Sequence, residues 1–121
     1  MVNFVRQLTQ LHKIEIDHLF KNAKVAYKSP DITILCAPKQ KEFGRALFIT
    51  SRKIGTAPER NRLRRQLKAI FYQEKLYAYG FDCAFITRAS LKNQPFQTLK
   101  AISLQALEHA KTIWSPHILK K

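Results

Sequence analysis

RALFITSRKIGTAPERNRLRRQLKAIF, residues 45–71, carries a strand, a turn and most of a helix in one unbroken stretch. Residues 45–50 are mainly apolar or β-branched and predict a strand. Gly55 supplies conformational freedom at the turn. Pro58 is tolerated in a first helical turn and Glu59 suits a positive helix end, so a helix begins there and runs to about residue 77. Leu63, Leu67, Ile70 and Phe71 recur three and four apart, so one side of that helix must bury against a neighbour. At about 100° per residue, Asn61, Arg62, Arg65 and Lys68 point away from the stripe, with Arg60 and Arg64 on its flank.

The same patterns extend outward in both directions. Ile16, Leu19 and Phe20 give one apolar stripe and predict a short helix over 13–22. An extended segment over 24–28 stops at Ser29-Pro30, and the β-branched run 32–37 ends at Pro38. Only a short polar link separates this run from 45–50, which predicts an antiparallel pair. Residues 81–87 follow Gly80 as a last strand. Its apolar character and that of 45–50 predict central places in the sheet. A final helix runs from residue 94 or 95 to about 113, with Phe96, Leu99, Ile102, Leu104, Ala106, Leu107 and Ala110 on a broad apolar face. Residues 1–11 are mixed and expected to be irregular; they and 114–121 form flexible ends. The order helix, three strands, helix, strand, helix defines an α+β fold: one sheet with helices packed on it, in a single domain over residues 1–121.

Charge decides the class of partner. The 121 residues include 22 lysines and arginines against 8 acids, a net charge of +14, while 45% of the chain is apolar. That apolar share supports a modest core, and the charge excess works against the folded state by self-repulsion. A polyanionic partner that neutralises it is the simplest reason to carry it. The charges are also clustered. Between residues 51 and 68 stand Arg52, Lys53, Arg60, Arg62, Arg64, Arg65 and Lys68 against the single acid Glu59. Like charges spaced i,i+4 on a helix, as Arg60 and Arg64 are, cost about 0.2–0.5 kcal/mol each. A solvated face with no partner would not retain them. At this level structured RNA, tRNA and DNA all remain candidates, with an anionic membrane surface the main competitor.

Arginine dominates the row, and its planar fork grips phosphate through paired bonds and stacks on bases. Asn61 adds a neutral donor and acceptor suited to a base edge or a ribose hydroxyl. Backbone N–H groups near the helix start, with the hydroxyls of Ser51 and Thr56, offer further phosphate contacts. Catalytic chemistry has no matching constellation. The histidines at 12, 18, 109 and 117 are scattered, the acids offer no convergent set of carboxylates, and there is neither a glycine-rich phosphate loop nor a metal motif. Cys36 and Cys83 lack metal-ligand spacing and fall in apolar strands, as buried free thiols do. No stretch reaches transmembrane length and the N-terminus lacks a signal-peptide core, so the expectation is a cytoplasmic protein without a membrane partner.

Ser51-Arg52-Lys53-Ile54-Gly55, Ala57 and Arg60-Asn61-Arg62-Leu63-Arg64-Arg65 resemble the arginine-rich signature of the bacterial ribonuclease P protein family. Leu19-Phe20-Lys21-Asn22-Ala23 and Tyr79-Gly80-Phe81-Asp82 occur in the matching order, and the resemblance covers about residues 13 to 110. It implies an α-β-β-β-α-β-α fold with a left-handed crossover. It also implies an endoribonuclease in which the RNA subunit performs hydrolysis with Mg2+, while the protein alone is not catalytic and binds no cofactor. The implied partners are ribonuclease P RNA, one protein per RNA, and precursor tRNA, whose 5′ leader is removed. Arg52, Lys53, Arg60, Asn61, Arg62, Arg64, Arg65 and Lys68 would bind RNA. Phe20, Ile16, Leu35 and Arg45 would line a leader cleft between the first helix and the sheet. The family usually has an aromatic ring where this chain has Ile16, and often one near Leu35, which leaves fewer stacking platforms here. The alternative is a ribosomal-type or other structured-RNA-binding protein with no processing role.

Overall fold

The computed structural model describes residues 4–91 and 94–119, with side chains for all of these except Ser90 and residues 115–119. Helix α1 spans Phe4–Gln7 and α2 spans Lys13–Asn22. Strands β1 (Lys24–Lys28), β2 (Ile32–Pro38) and β3 (Ala46–Thr50) follow, then α3 (Ala57–Gln73), β4 (Phe81–Thr87) and α4 (Phe96–Leu119). Short 3-10 turns at Arg52–Ile54, Leu76–Tyr79 and Ala89–Leu91 join them. The α+β class and the order of the main elements agree with the sequence. A helical turn at Phe4–Gln7, followed by the fully buried Leu8, stands where an irregular start was expected. The flexible end expected over 1–11 falls partly, and that over 114–121 mostly, outside the residues whose side chains are described.

The sheet order is β1-β2-β4-β3. Strand β4 runs antiparallel to β2, with Cys36 opposite Cys83, and parallel to β3, with Phe48 opposite Phe85. The expected β2–β3 pair is therefore not formed, because β4 inserts between them. Strand β3 is accordingly an edge strand rather than a central one. Both expectations came from local evidence, a short link and an apolar run. The pairing was decided instead by a distant segment, which returns parallel to β3 through α3, the crossover that parallel neighbours require.

The two faces of the sheet bury different partners. Ile32, Ile34 and Cys36 of β2 and Phe81, Cys83 and Phe85 of β4 form the main core with Leu63, Leu67, Ile70 and Phe71 of α3 and Leu99, Ala106, Leu107 and Ala110 of α4. All four stripe residues of α3 are buried, as their spacing predicted. The Cys36 and Cys83 thiols are free and buried, 3.4 Å apart. Their mutual hydrogen bond, and then burial, hold the Cys83 thiol well above its ordinary range. On the opposite face a smaller cluster sets Leu19 of α2 onto Ala37 and Ala84, with Ala23 and Leu35 at its margin. Helix α2 thus covers only part of that face.

Candidate nucleic-acid interface

Local chemistry fixes the start of α3 before any partner arrives. The Thr56 hydroxyl caps the helix by accepting from the Glu59 N–H, and the Glu59 carboxylate accepts from the Thr56 N–H at 2.9 Å. This capping box satisfies two end donors and ties down the one acid of the basic segment. Gly55 has φ +152°, and a Cβ there would stand 2.3 Å from the Glu59 Oε1. The backbone angle therefore favours glycine, and a side chain there would displace Glu59 from its bond to Thr56. Its carbonyl accepts from the Arg60 Nη1 at 2.8 Å. Ahead of it, the Ser51 hydroxyl accepts from the Lys53 N–H and shapes the turn that carries Arg52 and Lys53.

The cations of α3 divide into held and free groups. Arg64 donates to the Thr50 hydroxyl at 3.0 Å and to the Asn61 side-chain oxygen, which bridges α3 to the end of β3. Arg60 is held by Gly55. Among the described residues Arg52, Lys53, Arg62, Arg65 and Lys68 make no ion pair or side-chain hydrogen bond. The expected single row also divides. Asn61, Arg64, Arg65 and Lys68 line a groove beside β3, whereas Arg62 lines a second one with Glu59, Gln66, Gln94, Pro95 and Phe96. The helical period explains this, since Arg65 stands at the crest and Arg62 falls on the slope toward α4.

The partly uncovered sheet face carries the other predicted residues. Leu35 borders the Leu19 cluster, and Ile16 is half-buried on the same helix. Phe20 is 40% exposed beside the fully buried Leu19, so Leu19 and not Phe20 anchors α2. The register puts Val25, Leu35, Ala84 and Leu47 across one row of the sheet and Ile49 opposite Ile86 in the next but one. Val25 and Ile49 are 48% and 39% exposed, giving an open aliphatic shelf next to α2. Sequence reasoning missed these two because the alternation of an edge strand identifies faces only once its neighbours are known.

Arg45 does not present its charge to the cleft. It is only 4% exposed, and its two terminal nitrogens each donate to Glu15 at 3.0 Å, with a further bond to the Gln10 carbonyl. The Arg45 guanidinium, with help from the His12 N–H, lowers the Glu15 carboxyl to about 2. Behind it, Asp82 accepts from the Arg45 and Gln40 N–H groups, while burial pushes its own carboxyl upward. Arg45 is therefore a buried tie between β3 and α2. A lone arginine at the head of an apolar strand and a lone Glu15 near the start of a helix were the available signal.

Among the described residues no group of three or more His, Cys, Asp or Glu side chains comes together, and no helix is long and apolar enough to cross a membrane. Against known proteins, the Ribonuclease P family model matches residues 4–111. A ribonuclease P protein component from a Nitratiruptor species is 39% identical over 100 residues, covering 82% of this chain and 88% of its own. One from Chloroflexus aggregans is 30% identical over 92 residues, 74% of this chain and 68% of its own. Among solved structures, the RNase P protein from Thermotoga maritima in complex with 1-(4-fluorophenyl)-2-thiourea superposes with a TM-score of 0.69 at 25% identity, over 81% of this chain and 96% of that one. The Staphylococcus aureus RNase P protein reaches 0.70 at 18% identity over 86% and 95%, a likeness of fold.

Proposed function

Because the chain belongs to the ribonuclease P protein family, we propose that it is the protein subunit of a ribonucleoprotein that removes the 5′ leader from precursor tRNA. The observation that carries this reading is the division of basic and apolar surface. Free cations at Arg62, Arg65 and Lys68 line the two grooves along α3, and an open aliphatic shelf lies beside Phe20 on the other face of the sheet. The first suits a folded RNA read through phosphates, the second an unpaired strand whose bases lie on apolar side chains.

In this reading α3 and the turn before it bind ribonuclease P RNA, and Ile16, Phe20 and Leu35 border the path of the leader. Arg52 and Lys53 meet phosphates ahead of the helix. Arg60 and Arg64, already held by Gly55 and Thr50, meet RNA with little further loss of side-chain freedom. Hydrolysis and its magnesium ions belong to the RNA, with one protein per RNA in the cytoplasm.

The test is reconstitution with a bacterial ribonuclease P RNA and a precursor tRNA at low magnesium. Adding the protein should raise cleavage at the mature 5′ end, and the protein alone should cut nothing. Tight RNA binding without faster cleavage would favour a structured-RNA-binding protein with no processing role.

A further inference from the structure

The groove beside β3 contains backbone as well as cations. It has a volume of about 460 Å³ and is lined by Thr9, Ala46–Phe48 and the α3 side chains Asn61, Arg64, Arg65 and Lys68. Side chains alternate along a strand, so three consecutive residues line one groove only along the strand's edge, where its backbone is open. Two hydrogen bonds fix which groups face out. The Arg45 carbonyl accepts from the Cys83 N–H, directed into the sheet, and the Ala46 N–H donates to the Leu8 carbonyl, directed away from it. By the alternation of a parallel ladder, the Phe48 N–H and C=O also point outward. Among the described residues neither has a partner. Along the strand, Phe48 lies between the Leu8–Ala46 bond and the bridge from Arg64 to Thr50. Its size falls in the range, roughly 300–1,000 Å³, that small ligands fill.

We infer that this groove seats a ribonucleotide of the RNA partner, with phosphate against Arg65 and Lys68 and the ribose 2′-hydroxyl against the Phe48 N–H and C=O. This rests on the RNA-binding role proposed above and adds to it a means of telling RNA from DNA. Cations bind any phosphate, whereas a hydroxyl that both donates and accepts satisfies a free N–H and a free C=O together. A deoxyribose leaves both unpaired as the groove loses water, the costly case for a backbone polar group. Asn61, anchored through its oxygen to Arg64, keeps its amide N–H groups for the neighbouring base or sugar.

The experiment is residue-resolved amide hydrogen exchange on the full chain, alone and bound to a bacterial ribonuclease P RNA transcript, with binding followed separately by titration. The Phe48 amide should exchange fast in the free protein and slow by about tenfold or more in the complex. Transcripts carrying random single 2′-deoxy substitutions, partitioned by binding, should show a position where the change weakens affinity about tenfold. A transcript with that one substitution should still bind, yet leave the Phe48 amide fast. Tight binding with an unprotected Phe48 amide overturns the groove assignment and leaves the RNA-binding role standing. So does protection that no single 2′-deoxy substitution removes. Absence of any binding overturns both.

Discussion

Glu15 and Arg45 show how one residue pair sets the position of a whole helix. Their bidentate bond joins the first turn of α2 to the head of β3, and the Gln10 carbonyl extends it to the segment before α2. Arg45 keeps a buried Nε without a partner, so the pair is incompletely satisfied even when intact. Removing one member leaves the other charge stranded. Glu15→Ala should therefore lower stability by about 3–5 kcal/mol, read by urea denaturation at neutral pH. The pH dependence has a definite sign. Glu15 titrates at about 2 when folded against 4.5 ordinarily, so its stabilising contribution is complete above 4.5 and is lost as pH falls toward 2. Asp82 acts in the opposite sense, since burial raises its pKa and makes its ionised form the costly one. A Glu15→Ala variant that kept the parent's full loss of stability between pH 4.5 and 2 would assign that loss to another group. None of this pairing was read from the sequence, where only the family resemblance put Arg45 in the leader cleft. An arginine at a strand head can turn either way, and only the fold brings Glu15 within reach.

At the level of elements, what was legible in the sequence was what local chemistry determines. The stripe Leu63, Leu67, Ile70 and Phe71 placed α3 against the core because a helix must bury such a face, and the structure buries all four. The run 81–87 predicted β4 residue for residue, since Gly80 precedes it and apolar residues fill it. Strand order was not legible. Residues 32–37 and 45–50 are near in sequence, but β4 pairs along the whole of β2 and along the whole of β3 at once. The arginine cluster was legible as one segment of a helix, while its division between two grooves needed the positions of β3 and α4. The capping box at Thr56 and Glu59 was half legible, with Glu59 recognised as suiting the helix start and its bond to Thr56 missed. Gly55→Ala tests this corner. The added Cβ meets the Glu59 carboxylate in a backbone region suited to glycine, so the Glu59 side chain must leave its place in the capping box and the backbone is strained. The expected cost is on the order of 1–3 kcal/mol in thermal or urea unfolding. RNA affinity should fall as well, since Arg60 is anchored to the Gly55 carbonyl. An alanine variant with unchanged stability and affinity would mean the turn relaxes freely and does not position the arginines.

For the whole molecule the central question is whether its two surfaces act separately. The four-stranded sheet lies between them, with α3 and its cations packed on one face and Phe20 and the aliphatic shelf beside α2 on the other. No described ion pair joins the α3 cations to α2. Substitutions on the two sides should therefore be nearly additive, as they are for distant sites without shared partners. Phe20 decides the matter on the leader side. From sequence it was equally a core residue or a cleft residue, because it lies four positions after Ile16 in one stripe. The structure gives the anchoring role to Leu19, fully buried, and leaves Phe20 exposed over two-fifths of its surface. Phe20→Ala should accordingly fold with little loss and remove one stacking platform. The assembled enzyme should then bind precursor tRNA more weakly by about 1–3 kcal/mol, while binding of mature tRNA, which has no leader, stays nearly unchanged. Arg65→Ala should do the reverse. It should weaken assembly with ribonuclease P RNA and reduce by about one the slope of log affinity against log salt, as the loss of one phosphate contact requires. Affinities of the assembled enzyme for substrates with and without a leader, beside salt titrations of assembly, separate the two. Equal losses on both substrates for Phe20→Ala, or an unfolding shift large enough to account for them, would return Phe20 to the core. The aliphatic residues Val25, Leu35 and Ile49 would then be all that remains of the proposed leader surface.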